Sequence, residues 1–301
     1  MWNKNIDIMR IQGQDLVNYK EILVKELIFL DNLCKINNIK YFAVGGTAIG
    51  AVRHHGFIPW DDDIDVAMLR EDYDRFIALK ESIKGSQYRI LDYHDDGYYL
   101  PSAKIVDMHT TLWELEEQPY VMGAYIDVFP LDYVDKHGKD LENEVCHYKK
   151  CFESLRQSKA IMKFSNTVHR LEQGKILSFG HRLYQHLKLA LCVNPFRDKI
   201  LVKADECVDR IRAKKGNTVL NYNHLYPLNR ELFNAEWFET TVSMPFEDAT
   251  IEMPVDYDVF LHHSFGNYMQ LPPEEKRVGH HCCYYYNLNR HMGVKEIRQI
   301  I

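Results

Sequence analysis

Tyr41-Phe42-Ala43-Val44-Gly45-Gly46-Thr47, continuing through Arg53-His54-His55-Gly56-Phe57-Ile58-Pro59-Trp60-Asp61-Asp62-Asp63-Ile64-Asp65-Val66, is the stretch that decides the fold. It reads as an apolar strand, a two-glycine break, a short helix from Thr47 to about His55, a loop carrying Pro59, and a second strand that opens with acid. Gly45 and Gly46 let backbone N–H groups approach an anion with no Cβ in the way. The helix N-terminus adds oriented donors and partial positive charge. Asp63 and Asp65 are two residues apart, so on a strand both carboxylates project from one face while Ile64 and Val66 enter the core. Such carboxylates repel one another unless a divalent cation lies between them. Oxygen donors suit Mg²⁺, which also takes oxygens from a substrate phosphate. Separately, an Asp-rich loop is usually a solvated turn and a Gly-Gly only a turn. In this order they point to phosphate chemistry on a metal.

Outward from that stretch, Leu16, Ile22, Leu23, Leu27, Leu30, Leu33 and Cys34 predict one amphipathic helix from about Gln14 to Asn37. After the acid strand, Glu71-Asp72 opens a helix that runs to about Ile83, with acids in its first turn as the macrodipole favours. Tyr88–Tyr93, Tyr98–Val106 and Thr110–Leu115 read as strands joined by short turns, which favours antiparallel pairing and a mixed sheet. Ala124–Phe129 is a further strand, stopped by Pro130, and an acid inside such an apolar run is costly unless paired or metal-bound. That marks Asp127 as a site candidate and leaves Asp132, past the proline, as a turn or supporting residue. Residues 138–215 read mostly as helix with an excess of basic side chains (Arg182, Lys188, Arg197, Lys199, Lys203, Arg210, Arg212, Lys214, Lys215). The plain explanation is a solvated face; the sharper one is a surface for an anionic acceptor or membrane headgroups. From Tyr222 onward the chain looks rich in strand and loop, with a hairpin over Phe233–Phe246 and a short helix after Pro254.

The run GGTAIGAVRHHGFIPWDDDIDV, residues 45–66, resembles the signature of LicD-type phosphotransferases, a branch of the nucleotidyltransferase superfamily that includes the fukutin-related proteins. Ile126-Asp127-Val128-Phe129-Pro130-Leu131-Asp132 is similar to a second segment of that family. So is Tyr268-Met269-Gln270-Leu271-Pro272-Pro273 leading to His280-His281. The resemblance implies an α/β (α+β) fold: a nucleotidyltransferase-like mixed β-sheet flanked by helices, with a helical insertion. Residues 1–135 would form the catalytic core, 136–221 the insertion, and 222–301 a segment completing the site, all in one compact unit.

By the same resemblance Asp63, Asp65 and Asp127 hold one or two Mg²⁺ ions (Mn²⁺ is an alternative) and carry catalysis. Phosphate contacts fall to Gly45, Gly46, Thr47, Arg53, Lys104 and one of His280 and His281. An ordinary pairing of Lys104 with Asp107 or Glu114 is the competing reading. Trp60 and Tyr285 offer aromatic faces for choline or the base, since such faces attract quaternary ammonium groups by cation–π interaction. The implied reaction moves phosphocholine from CDP-choline to a sugar hydroxyl of a cell-surface glycan or teichoic-acid precursor and releases CMP. Transfer of an alditol phosphate or a nucleotidyl group on the same fold is the first alternative, and a non-catalytic binding protein the second. His280-His281-Cys282-Cys283 lacks the separated ligand pairs of structural zinc sites.

At 301 residues, 46% of them hydrophobic and 27% charged, the chain can bury a substantial core in one large domain. A formal charge of −6 argues against a nucleic-acid partner, which normally leaves a basic footprint. Seven scattered cysteines, no apolar leader and no stretch of roughly 20 apolar residues suggest a reduced cytoplasmic protein, peripheral at most to the inner face of a membrane.

Overall fold

The computed structural model describes residues 9–115, 118, 120–138, 140–158, 180, 197–212, 216–223, 227–279 and 281–301. Helix α1 (Gly13–Ile36) buries Leu23, Leu27, Leu30 and Cys34, the spacing that aligns side chains along one helix face. It ends where Asn37 Nδ2 donates to the Leu33 carbonyl and Asn38 enters the left-handed region at φ 53°. Strand β1 (Phe42–Ala43), helix α2 (Gly45–His54), strand β2 (Asp65–Leu69) and helix α3 (Arg70–Ala78) then follow in the expected order. Strands β3 (Tyr88–Leu91), β4 (Ala103–Asp107), β5 (Thr111–Trp113) and β6 (Tyr125–Tyr133) complete this half of the chain.

The sheet runs β1-β2-β6-β4-β3 and is mixed: β2 and β6 are parallel, and the other pairings in that order are antiparallel. The expected strand from Tyr98 begins instead at Ala103, because the buried Tyr98 hydroxyl donates to the Ser102 carbonyl and holds residues 98–102 as a loop. Asp132 is not a turn residue. It lies in β6, fully buried, where Arg70 Nε and Nη2 donate to its two oxygens at 2.8 and 2.5 Å and Tyr222 donates at 2.7 Å. That pairing carries α3 on the sheet.

Helices α4 (Leu141–Ser158) and α5 (Arg197–Ile211) pack around a second apolar cluster containing Val145, Tyr148, Leu155, Cys207 and Ile211. The charge expected on their surface divides. Arg197 is buried and donates to the carbonyls of Tyr93, Asp95 and Tyr98, anchoring α5 to the loop before β4. Arg210 pairs with Glu144, and Arg212 with Asp74 and Asp132. Arg182, Lys188, Lys214 and Lys215 lie outside the described residues.

Strands β7 (Thr218–Leu220) and β8 (Leu232–Asn234) extend the far end of β6. The hairpin expected over Phe233–Phe246 is therefore displaced. It forms between β9 (Thr241–Phe246) and β10 (Ala249–Pro254), because Asn234 caps a short helical turn after β8 and ends that strand. Helix α6 (Tyr257–Phe265), strand β11 (Tyr285–Asn287) paired with β5, and helix α7 (Val294–Ile300) complete the described chain. No helix among the described residues is long and apolar enough to cross a membrane, and the six cysteines among them are free thiols.

Candidate active site

The glycine turn and the acids meet where β1 hands over to α2. Gly45 has φ +60°, a conformation L side chains rarely adopt, and a Cβ there would stand 2.9 Å from Asp65 Oδ2. A Cβ on Gly46 would collide with the Asp61 carboxylate. Gly45 is therefore favoured by its backbone conformation, and a side chain at Gly46 would force the Asp61 carboxylate to move. The Asp65 N–H donates to Thr47 Oγ1 at 2.9 Å, which ties α2 to β2 and commits the buried Thr47 hydroxyl to the scaffold. The backbone N–H groups of Gly45, Gly46 and Thr47 open a helix, where such donors have no intrahelical acceptor.

Asp63 sits in the loop just before β2, and Asp65 is the first residue of the strand. Asp65 and Asp127 are register partners across the parallel β2–β6 ladder, so their side chains share one face. Burial first, then the charges of Asp63 and Asp127, pushes the Asp65 carboxyl well above the usual carboxylate range. Burial and repulsion from Asp63 push the Asp61 carboxyl up to about 8. The side chains offered here are carboxylates, Asp63 in the loop and Asp65 and Asp127 on one face of the β2–β6 ladder, beside the glycine turn. That set fits a hard divalent cation.

Asp127 is held from its other side. Lys104, its register partner on β4, donates to Oδ1 and Oδ2 at 2.7 and 2.8 Å, and Ser102 Oγ donates to Oδ1 at 3.0 Å. Neither Asp107 nor Glu114, the partners weighed for Lys104 from sequence, is the one it takes.

The C-terminal segment closes over the acidic loop. His281 Nδ1 lies 2.7 Å from Asp62 Oδ1, and Nε2 lies 3.6 Å from Asp63 Oδ2. Burial lowers the His281 pKa, but the Asp62 hydrogen bond and the neighbouring carboxylates outweigh it and push it up to about 10. Asp62, Asp63 and His281 each offer a ligand atom within 4.8 Å of one another. Arg53 Nη1 donates to the carbonyls of Tyr268 and Gln270 at 2.7 and 3.5 Å, so an arriving anion would share this guanidinium with the closing segment. The Arg277 guanidinium stands 5.7 Å from the centre of the Trp60 ring. Tyr285 belongs to a different cluster, pairing with Trp113 and donating to Met292 Sδ. His280 lies outside the described residues.

Sequence reasoning missed Asp61, Asp62 and Ser102. The first two belong to the Asp61-Asp62-Asp63 run, whose unusual density was the available signal. Ser102 stands two residues before Lys104, the spacing that brings alternate side chains to one side of an extended chain.

A glycine turn facing carboxylates on two parallel strands of a mixed sheet defines a nucleotidyltransferase-type α+β protein. Residues 38–167 match the family model described as LicD/FKTN/FKRP, nucleotidyltransferase domain. Over those residues the chain is similar to this LicD-type family. It is 28% identical over 258 residues to the lipopolysaccharide cholinephosphotransferase LicD of Haemophilus influenzae, a match covering 85% of this chain and 91% of that protein. An uncharacterized protein of Rickettsia typhi is 35% identical over 114 residues, 38% of this chain and 33% of its own length. A Rickettsia prowazekii protein is 58% identical over 36 residues, 12% of this chain and 14% of that protein.

Proposed function

We propose that this protein is a phosphocholine transferase, moving phosphocholine from CDP-choline to a hydroxyl of a cell-surface glycan and releasing CMP at a site that carries a divalent cation. The likeness to a lipopolysaccharide cholinephosphotransferase over most of both chains supports the transferred group and the glycan class of acceptor. The observation that carries the chemistry is the facing of Asp65 and Asp127 beside Gly45 and Gly46.

Asp63, Asp65 and Asp127 would hold Mg²⁺ or Mn²⁺, with Asp61 and Asp62 adjoining. When bound, the ion neutralises phosphate oxygens and offsets the charge that builds up in an in-line displacement. The backbone N–H groups of Gly45, Gly46 and Thr47 orient the donor's phosphates, and His281 and Arg53 add positive charge where the C-terminal segment meets the loop. Asp127 orients the attacking hydroxyl and takes its proton. Trp60, next to Asp61 in the chain, offers a face for the quaternary ammonium, with Tyr285 the second candidate. The acceptor is a glycan or lipid-linked glycan met at the inner face of a membrane.

Incubation with Mg²⁺ and either CDP-choline, CDP-ribitol or ATP, followed by identification of the products, tests this reading. CMP release from CDP-choline with phosphocholine transfer is the expected result. CMP from CDP-ribitol alone, or pyrophosphate from ATP, would replace it with an alditol-phosphate or nucleotidyl transfer.

A further inference from the structure

Lys104 is only 2% exposed, and its ammonium is enclosed by fixed groups. Nζ donates to both oxygens of Asp127 and stands 3.4 Å from the centre of the Tyr125 ring. That ring is itself fixed, since the Tyr125 hydroxyl donates to Glu114 Oε1 at 2.5 Å and Tyr99 donates to Oε2 at 3.3 Å. Ser102 adds a third hydrogen bond to Asp127. A phosphate ligand needs a cation that can meet an incoming anion, and Lys104 is already committed on both sides. A carboxylate gripped at both oxygens by an ammonium, and at one by a hydroxyl, cannot rotate freely about its Cβ–Cγ bond.

We propose that Lys104 and Ser102 are positioning residues that fix the Asp127 carboxylate beside Asp65, so that Lys104 acts through Asp127 and not on the donor's phosphate. This rests on the reading of Asp127 as part of the cation site. Two consequences separate it from a phosphate-binding lysine. Removing Lys104 should damage turnover and spare nucleotide affinity, and its effect should vanish once Asp127 can no longer be oriented.

The test compares wild type, S102A, K104M, D127N and K104M/D127N for turnover of CDP-choline, for Mn²⁺ affinity, and for CMP affinity in the presence of Mn²⁺ by calorimetry. K104M is expected to lower kcat about a hundredfold, the scale of an ångström-sized misplacement. The Kd for CMP should move less than about threefold, and K104M added to D127N should cost less than about threefold further. S102A should show a smaller loss of the same kind, and it carries the test if K104M alone fails to fold; the double variant restores charge balance. A CMP Kd about tenfold weaker with kcat retained, or equal losses in both backgrounds, would overturn the assignment. A wild-type chain that binds Mn²⁺ but leaves CDP-choline intact refutes the donor alone. The cycle is then read on Mn²⁺ affinity, where K104M must shift the Kd at least about threefold more with Asp127 present than with Asn. A wild-type chain that binds no Mn²⁺ overturns both.

Discussion

Asp65 and Asp127 face each other across the parallel β2–β6 ladder, and Asp127 is in turn the register partner of Lys104 on β4. Three adjacent strands thus set acid, acid and base in one row on one face of the sheet. The glycine turn closes against the first acid and the buried lysine against the second.

The turn should be intolerant of a single methyl group. Gly45→Ala forces an L residue into the left-handed region, which costs about 1–2 kcal/mol, and sets its Cβ against Asp65 Oδ2. Urea unfolding should register that loss, and stabilisation by Mn²⁺ should disappear with it. A G45A protein with wild-type stability and wild-type response to Mn²⁺ would mean that the turn is not what holds Asp65.

Asp132 should matter for stability alone. Removing one partner of a buried ion pair strands the other, at a cost of about 3–5 kcal/mol. D132A would leave Arg70 with only the Tyr222 hydroxyl and the exposed Asp74, while Y222F removes two hydrogen bonds, one to Asp132 and one from Arg70, each worth about 1 kcal/mol. Denaturant midpoints of the two variants measure the contrast. A D132A loss below about 1 kcal/mol would show that the pair does not hold α3 to the sheet.

Glu26 makes wild-type stability fall with rising pH. It is fully buried in α1, and neither carboxylate oxygen has a hydrogen-bond partner among the described residues. Burial, then the charge of Asp107, pushes its carboxyl well above the ordinary value of 4.5. The unfolded chain releases that proton near its ordinary value while the folded chain keeps it, so the folded state loses ground as pH rises beyond 4.5. Methionine has a similar volume and no charge, so E26M should be more stable than wild type at pH 8 by about 1–3 kcal/mol. The gap should close as the pH falls towards 4.5. Parallel pH profiles of the two proteins would contradict this.

Much of the architecture was legible in the residues. The α1 stripe, the strand–Gly-Gly–helix handover and Asp127 within the apolar run 124–129 are local patterns, and local patterns survive without knowledge of tertiary pairing. What was not legible depends on register. Nothing in the spacing of Lys104 and Asp127 says that their strands will align them, so the pairing weighed for Lys104 fell on Asp107 or Glu114 and not on Asp127. Arg53 shows the same limit, since two of its partners are carbonyls more than 200 residues away. The Tyr98 hydroxyl likewise converts a sequence with strand character into a loop through one hydrogen bond that composition does not reveal.

Calorimetric titration with Mn²⁺ of wild type, D65N and D127N tests most directly whether carboxylates from β2 and β6 share one cation. Saturable binding by wild type is expected, weakened at least about tenfold in each variant while circular dichroism is unchanged. At an ion concentration near 100 times Kd, wild type should also gain about 2.7 kcal/mol of stability. Equal affinity in all three proteins, or no binding by wild type, would contradict the account.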